Sequence, residues 1–200
     1  MKLLVFDMGH VFVDFEWEEV CLGFCREAGC SRDRLKEVFV HAAGLGYERG
    51  SISTQDFLAE LNRLLESKIS QAQFNDLWTF GFRENEEMAK LLQKLRQQRP
   101  LYLLSNTNEV HYDFIQSRYN VERHFEELIL SYKVGYTKPQ AEIYREVLRR
   151  AAVEPGDCLF VDDLECNVDA ASKLGMNTIQ FRGVEDLKHK LSGDFGLAVE

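Results

Sequence analysis

Short, continuous apolar runs alternate along much of the chain with longer segments in which apolar residues recur at helical spacing. The first run, Leu-Leu-Val-Phe at residues 3–6, is typical of a parallel strand that is buried on both faces. We predict further strands at residues 101–104, 128–130, 159–161 and 178–181. Because helical patterns separate these runs, the chain is predicted to be an α/β protein with a three-layer parallel sheet.

Capping and stop signals mark the helices between the predicted strands. Asn85 can cap a helix that runs to about residue 98, and Pro100 then forces the chain out of the helical conformation. Further helices are predicted at residues 109–118, 141–150 and 168–174, the last of which is followed by Gly175, a residue favoured just after a helix end.

Residues 15–84 interrupt this alternation, because they show helical patterns without a convincing strand. Helices are predicted at residues 17–28 and 32–42. Two more follow capping-box patterns, formed by Ser53 with Asp56 and by Ser70 with Gln73. About 70 residues are too many for a simple crossover between parallel strands. We therefore predict a helical cap at residues 15–84, inserted into a core formed by residues 1–14 and 85–200.

The charge and hydropathy of the chain narrow the range of partners. The 200 residues carry a formal net charge of −9 and contain no basic block. Nucleic acid is therefore not an expected partner, since neutralising its phosphates needs clustered Lys and Arg. No membrane partner is expected either, because no apolar run approaches the ~18 residues of a membrane span. Monomer and homodimer both remain open.

The cysteines indicate a reducing compartment. The chain has five of them, without a CxxC pair, and its apolar strand pattern begins at the N-terminus with no secretory signal ahead of it. We expect reduced thiols in the cytoplasm. Cys21 and Cys25 are spaced i, i+4 and would share one helix face, which favours packing in the core over metal binding.

Polar residues follow the predicted strands at four places where the strands do not need them. Asp7 ends the first run, Ser-Asn-Thr-Asn occupies residues 105–108, Lys-Pro occupies residues 138–139, and Asp-Asp occupies residues 162–163. The last three each fit a simpler role, as helix caps or as a solvated lysine. Asp7 is harder to explain in that way, because a carboxylate that ends a buried strand is costly unless it is paired or bound to a metal.

Together the four places predict one site, because parallel strands end at the same edge of a sheet. The acidic residues would supply oxygen ligands for Mg²⁺. The serine and asparagine would donate hydrogen bonds to phosphate oxygens, and the lysine would supply a positive charge. Such a set favours phosphoryl transfer to an aspartate. The candidate site residues are Asp7, Ser105, Asn106, Lys138, Asp162 and Asp163.

Four ordered motifs resemble those of the haloacid dehalogenase (HAD) superfamily of aspartate-nucleophile phosphatases. They are Phe-Asp-Met-Gly at 6–9, Leu-Ser-Asn-Thr-Asn at 104–108, Lys-Pro at 138–139 and Val-Asp-Asp at 161–163. The resemblance covers almost the whole chain and implies a Rossmann-like core with an inserted helical cap. More narrowly, Phe-Asp-x-Gly-x-Val, Leu-Ser-Asn-Thr-Asn-x-x-His and Lys-Pro-x-x-Glu-Ile-Tyr are similar to the α-D-glucose-1-phosphate phosphatase subfamily and its epoxide-hydrolase-domain-like relatives.

The resemblance implies a role for each acidic residue that matches a motif. Asp7 would be the nucleophile, forming a phosphoaspartate, and also a Mg²⁺ ligand. The carbonyl oxygen of Gly9 would be a second ligand. Asp163 would be the third, with Asp162 either a ligand or one shell further from the ion.

The resemblance also implies how the phosphoryl group is held. Ser105 and Asn106 would bind it during transfer, and Lys138 would bridge Asp7 and the phosphate. The implied reaction is the Mg²⁺-dependent hydrolysis of a small phosphorylated metabolite, such as a sugar phosphate like glucose 1-phosphate.

Gly9 stands where most of these phosphatases carry a second aspartate, which protonates the leaving oxygen and then activates water. Such general acid–base help typically contributes about 10²–10⁴-fold. The glucose-1-phosphate phosphatase subfamily shares this glycine but usually has asparagine where this chain has His10. One hypothesis is that His10 partly replaces the missing acid, and the alternative is a packed or loop-stabilising histidine. Asp14 is predicted to cap the first cap helix, and His111 to be structural.

The cap sets substrate selectivity in enzymes of this kind, and its candidates here are Trp17, Tyr47, Glu48, Arg49, Phe80, Phe82 and Arg83. Two other functions stay open. A haloacid dehalogenase would use Asp7 on carbon without a metal, although the acidic pair at residues 162–163 argues against it. A non-enzymatic binding or regulatory domain would explain the missing acid at Gly9.

Overall fold

The computed structural model describes residues 1–199 and has a parallel sheet at its centre. Across this sheet, the strands lie in the order Glu127–Leu130, Leu101–Ser105, Leu3–Phe6, Cys158–Asp162 and Asn177–Gln180, and every neighbouring pair is parallel. The predicted three-layer α/β fold is therefore confirmed. In chain order, the strands are β1 (Leu3–Phe6), β2 (Val13–Asp14), β3 (Arg83–Glu84), β4 (Leu101–Ser105), β5 (Glu127–Leu130), β6 (Cys158–Asp162) and β7 (Asn177–Gln180).

The first strand shows why its apolar run is continuous rather than alternating. Leu4 and Phe6 belong to one buried apolar cluster, whereas Leu3 and Val5 belong to another. Successive side chains of a strand point to opposite faces, so both faces of the sheet are covered. Burial on both sides removes the polar positions that a half-exposed strand would have.

Helices surround the sheet and make up most of the predicted cap, and none within residues 1–199 is long and apolar enough to cross a membrane. The side chain of Asn85 accepts a hydrogen bond from Met88 N, as a helix cap should, although that helix ends at Arg96. The helices are α1 (Trp17–Ala28), α2 (Arg32–Ala43), α3 (Thr54–Leu65), α4 (Gln71–Trp78), α5 (Glu86–Arg96), α6 (Glu109–Tyr119), α7 (Ser131–Val134), α8 (Ala141–Ala151), α9 (Glu165–Lys173) and α10 (Val184–Phe195).

Helices α1 to α4 pack around an apolar cluster of their own, distinct from the two clusters against the sheet. The predicted capping box at Ser70 is confirmed, since Ser70 Oγ accepts from Gln73 N and Gln73 Oε1 accepts from Ser70 N. Cys21 and Cys25 pack against this cluster, as expected for core residues. A separate core agrees with a cap, and its bounds at residues 15 and 84 remain a prediction.

The structure corrects the role predicted for Asp14. Asp14 does not cap the first cap helix, because it lies in β2 and pairs with Arg83 of β3. The residue before α1 is Glu16, which makes no side-chain capping bond. This short antiparallel pair joins the outgoing and returning segments of the chain, so the stretch predicted to lack strands does contain β3. Two residues are too few to show any periodicity in the sequence.

Candidate active site

Lys138 occupies the centre of a buried cluster at the carboxyl edge of the sheet. Its Nζ lies 2.6 Å from Asp7 Oδ1, 2.6 Å from Asp162 Oδ2 and 3.1 Å from the carbonyl oxygen of Leu104. Asp7 directly follows β1, and Asp162 is the last residue of β6, the strand paired with β1. Three loops that are distant in the sequence therefore meet at one point, as expected for parallel strands that end at the same edge of a sheet.

Asn106 holds the loop that carries Lys138. Its Nδ2 donates to the carbonyl oxygen of Lys138 at 2.9 Å, and its Oδ1 accepts from the Lys138 backbone N–H at 2.7 Å. Both polar atoms of the side chain are thus engaged, which leaves the backbone of Asn106 as its means of contacting a ligand. A buried pair secures the loop that carries Asn106 itself, because Ser131 Oγ accepts from Thr107 N and donates to Thr107 O.

The two adjacent aspartates differ sharply in their surroundings. Asp162 is fully buried, and its oxygens accept from Lys138 Nζ, from Asn167 Nδ2 and from Leu164 N. Asp163 is half-buried and lines the cavity above the cluster. Asn167 was not predicted as a site residue, although it lies only five residues after Asp162. Only the fold shows that its amide supports the buried carboxylate.

The donor set suits a hard divalent cation. Carboxylate oxygens of Asp7, Asp162 and Asp163 lie within 4.8 Å of one another. Three carboxylates and one ammonium leave the cluster net negative, and hard cations prefer oxygen ligands. The residues present therefore fit a metal ion of this type.

Burial and neighbouring charges shift the proton equilibria of the cluster. Burial raises the pKa of Asp7, against the opposing attraction of Lys138. Burial lowers the pKa of Lys138, but the attraction of Asp7 and Asp162 outweighs it, so that this pKa lies above its usual value. Burial also raises the pKa of Asp163, and the nearby charge of Asp162 adds to the effect. A positive ion beside these carboxylates would favour their ionised form.

A cavity of about 590 Å³ opens above the cluster, between the sheet edge and residues of the predicted cap. Ser105, Asn106 and Gly9 line it together with Asp7, Lys138 and Asp163. The cavity also receives most of the residues predicted to set substrate selectivity, namely Trp17, Tyr47, Glu48, Arg49 and Phe82. The other two candidates, Phe80 and Arg83, do not line the cavity.

The two histidines noted in the sequence occupy different environments. His10 lines the cavity, has a φ of 53°, and stacks on Phe15 with 4.4 Å between ring centroids. His111 Nε2 lies 3.0 Å from the carbonyl oxygen of Trp78, and its Nδ1 lies 3.2 Å from Asn108 Nδ2. Burial lowers the pKa of His111 to about 4, so this ring is neutral near pH 7 and is held in place structurally.

A buried carboxylate–lysine cluster at the carboxyl edge of a parallel sheet, opening into a cavity, is the arrangement of an α/β enzyme. The chain belongs to the haloacid dehalogenase-like hydrolase family, whose model matches residues 1–175. This match confirms the resemblance drawn from the four motifs.

Relatives of the chain include named phosphatases. A D-ribitol-5-phosphate phosphatase from Bacteroides thetaiotaomicron is 28% identical over 202 residues, which cover 96% of this chain and 97% of the relative. A sesquiterpene phosphatase from Aspergillus oryzae is 26% identical over 177 residues, covering 88% of this chain and 87% of the relative. A HAD family enzyme from B. thetaiotaomicron, solved in complex with magnesium and inorganic phosphate, is 29% identical with a TM-score of 0.86, covering 94% and 98% of the two chains.

Proposed function

We propose that this protein is a Mg²⁺-dependent phosphatase that hydrolyses a small phosphorylated metabolite, with Asp7 as the nucleophile. The observation that carries the proposal is the contact of 2.6 Å between Asp7 Oδ1 and Lys138 Nζ at the floor of the cavity. A carboxylate beside a fixed positive charge suits attack on an anionic phosphoryl group. The phosphatases among the relatives, one of them named for D-ribitol 5-phosphate, support the same reaction class.

Asp7, Asp163 and the carbonyl oxygen of Gly9 are the proposed ligands of Mg²⁺. Asp162 is proposed to position Lys138 rather than to bind the ion, because both of its oxygens already accept hydrogen bonds. The magnesium in the related crystal structure supports this choice of metal. When bound, Mg²⁺ would offset negative charge on the phosphoryl oxygens.

The residues of the chain would carry out two displacements. The Asp7 carboxylate attacks phosphorus, a new P–O bond forms, and the bond to the leaving oxygen breaks. Ser105 Oγ and the backbone N–H of Asn106 donate to the phosphoryl oxygens, while Lys138 holds Asp7 in place. The leaving oxygen takes a proton from water or from His10. Water then attacks the phosphoaspartate, which releases inorganic phosphate and restores Asp7.

A direct test measures hydrolysis of acetyl phosphate and p-nitrophenyl phosphate with Mg²⁺ and with EDTA. We expect Mg²⁺-dependent turnover, an acid-stable phosphoprotein after quenching, and loss of both in Asp7→Asn. Full Mg²⁺-dependent activity in Asp7→Asn would rule out the nucleophile. Release of chloride from 2-chloroacids without Mg²⁺ would favour a dehalogenase, and no turnover of either class would favour a binding or regulatory protein.

Narrower predictions accompany this proposal. The subfamily motifs imply glucose 1-phosphate as the substrate, a prediction that competes with the apolar substrate inferred below from the cavity lining, and the same assay compares the two kinds of ester. A cytoplasmic location follows from the expected reduced thiols, and the net charge of −9 supports the absence of a nucleic-acid partner. No membrane partner is predicted, and both monomer and homodimer fit these observations.

A further inference from the structure

Aromatic rings form a continuous surface along the cavity. Ring centroids are 4.9 Å apart for Phe15 and Phe82, and 4.9 Å apart for Phe82 and His111. The contacts continue from His111 to Trp78 at 5.3 Å, from Trp78 to Trp17 at 5.6 Å, and from Trp17 to Phe39 at 5.6 Å. All of these rings line the cavity that contains Asp7 and Lys138. We call this surface the aromatic wall, formed by Phe15, Phe82, His111, Trp78, Trp17 and Phe39.

The aromatic wall is more than a part of the apolar core, because one of its members, Trp17, is exposed, as is Leu164 in the lining of the same cavity. Trp17 exposes 43% of its surface, and Leu164, which lines the same cavity, exposes 53%. Exposed apolar surface in a concave site is typical of a place where an apolar ligand binds.

Apart from the indole N–H groups of Trp17 and Trp78, the latter buried without a hydrogen-bond partner among residues 1–199, the wall offers few partners for the hydroxyl groups of a sugar or polyol. Its one titratable ring, His111, is neutral near pH 7 and already contacts Trp78 O and Asn108 Nδ2. A hydroxyl group buried against such rings would lose its hydrogen bonds to water without replacing them. A flat ring or a branched hydrocarbon would lose nothing comparable and would gain contact with the rings.

The size of the cavity agrees with a leaving group larger than a short polyol. At about 590 Å³ it falls within the roughly 300–1,000 Å³ of sites that bind drug-sized molecules. The phosphoryl group would occupy only the floor beside Asp7 and Lys138, which leaves the remaining volume to the leaving group, between the aromatic wall and polar residues such as Glu48, Arg49 and Thr137.

We propose that the substrate is the phosphate ester of a ring-bearing, largely apolar alcohol, which lies against the aromatic wall. This inference rests on the proposed phosphatase function for its chemistry, but binding to the wall can be tested alone. The wall selects the leaving group, and the cluster around Lys138 holds the phosphate.

Tryptophan fluorescence reads binding directly, because both tryptophans of the chain, Trp17 and Trp78, belong to the wall. With Mg²⁺ present, benzylphosphonate is expected to change the fluorescence and to bind at least roughly tenfold tighter than 2-hydroxyethylphosphonate. Trp17→Ala should remove most of this preference, and Trp17→Phe should keep most of it. Phe80→Ala is the matched control, since Phe80 is an exposed aromatic residue outside the cavity.

Kinetics provide the second measurement. Benzyl phosphate and D-ribitol 5-phosphate are both esters of primary alcohols, so their leaving groups are chemically similar. We expect kcat/KM for benzyl phosphate to be at least roughly tenfold higher, and the ratio to fall by a similar factor in Trp17→Ala. A preference for ribitol 5-phosphate or glucose 1-phosphate, or equal binding of the two phosphonates, would overturn the inference.

The two proposals fail in different ways. If acetyl phosphate is hydrolysed but benzyl phosphate is not preferred, the aromatic-alcohol inference is wrong and the phosphatase function stands. If no phosphate ester is hydrolysed while benzylphosphonate binds through Trp17, the phosphatase function is wrong and the inferred apolar specificity of the wall stands.

Discussion

Lys138 Nζ lies 2.6 Å from Asp162 Oδ2, and Asp162 is fully buried with hydrogen bonds to both of its oxygens. Asp163, the next residue, is half-buried and faces the cavity. The two adjacent aspartates are therefore proposed to have different roles: Asp162 would hold Lys138, and Asp163 would bind the metal.

Neutralising each aspartate in turn should separate these roles. Asp163→Asn should raise the Mg²⁺ concentration needed for half-maximal activity by at least roughly tenfold. Substituting residues that only support the metal ligands already lowers metal affinity by about 10–100-fold. Asp162→Asn should lower the free energy of unfolding by about 3 kcal/mol, because it breaks a buried ion pair. Mg²⁺ titrations and urea unfolding check the two variants. The reverse pattern would make Asp162 the ligand.

Position 9 has room for an aspartate side chain, which would supply the general acid that the site lacks. Its backbone is not in the left-handed region, and a Cβ there would lie 3.5 Å from Phe15 Cε1, an ordinary contact. Gly9→Asp should raise kcat/KM for an alkyl phosphate by roughly 10²-fold over Gly9→Asn, because the aspartate can protonate the leaving oxygen. Acetyl phosphate, with its better leaving group, should gain less. Equal rates in the Asp and Asn variants for both substrates would contradict the prediction.

Gly50 makes a close contact between the predicted cap and the core. It has a φ of 67°, and a Cβ at this position would collide with the carbonyl oxygen of Tyr132 in α7. Gly29 has a similar φ of 65° but open space around it, so it serves as the control. Both alanine variants incur the left-handed penalty of roughly 1–2 kcal/mol, and only Gly50→Ala adds the collision.

The collision should therefore show in both stability and catalysis. Gly50→Ala is expected to lose at least roughly 1 kcal/mol more unfolding free energy than Gly29→Ala. It should also raise KM, because the adjoining segment Tyr47–Arg49 lines the cavity. Urea unfolding and phosphatase kinetics compare the pair, and equal effects in both measurements would show that the contact does not matter.

His124 should make the protein less stable in mild acid. Burial lowers its pKa to about 4, and the nearby positive charges of Arg123 and Arg96 add to the shift. Unfolding returns the pKa to about 6.5, so between these values the unfolded state binds more protons and the free energy of unfolding falls as pH falls. The loss between pH 7 and pH 5 should be on the order of 1–2 kcal/mol for this group.

A substitution isolates this contribution. His124→Gln removes the titrating group, so the change in unfolding free energy between pH 7 and pH 5 should shrink. His189→Gln, at an exposed histidine, is the control. In this variant the difference in unfolding free energy between pH 7 and pH 5 should be the same as in the unmodified protein. Urea unfolding at the two pH values measures this difference. If it were the same in His124→Gln as in the unmodified protein, His124 would not be the group responsible for the loss of stability in acid.

The core of the sheet could be predicted because its signals are local. Strands β1, β4, β5 and β6 each contain a run of apolar residues, and Asn85 and Ser70 cap helices through residues only three positions away. Elements without such signals were missed. The pairing of β2 with β3 joins residues 13–14 to residues 83–84, and a two-residue strand has no pattern of its own. Helix α9 begins at Glu165, three residues before its predicted start.

The candidate site was predictable to the level of its loops, because parallel strands all end at one edge of the sheet. That rule brings Asp7, Lys138 and the acidic pair together without any knowledge of side-chain contacts. It cannot distinguish Asp162 from Asp163, which are neighbours in the chain but differ in burial. The rule also could not predict the role of Asn106, since its side-chain amide forms hydrogen bonds with the backbone of Lys138, 32 residues away.

By itself, the sequence determined the alternation of strands and helices, the position of the inserted helices and the residue types available for chemistry. These follow from local apolar patterns and from the order of the motifs. Only the tertiary structure decided which partner each polar atom has and which rings join into the aromatic wall. Those contacts link residues far apart in the chain, such as Trp17 with Trp78 and Phe82 with His111, and depend on how the folded elements pack.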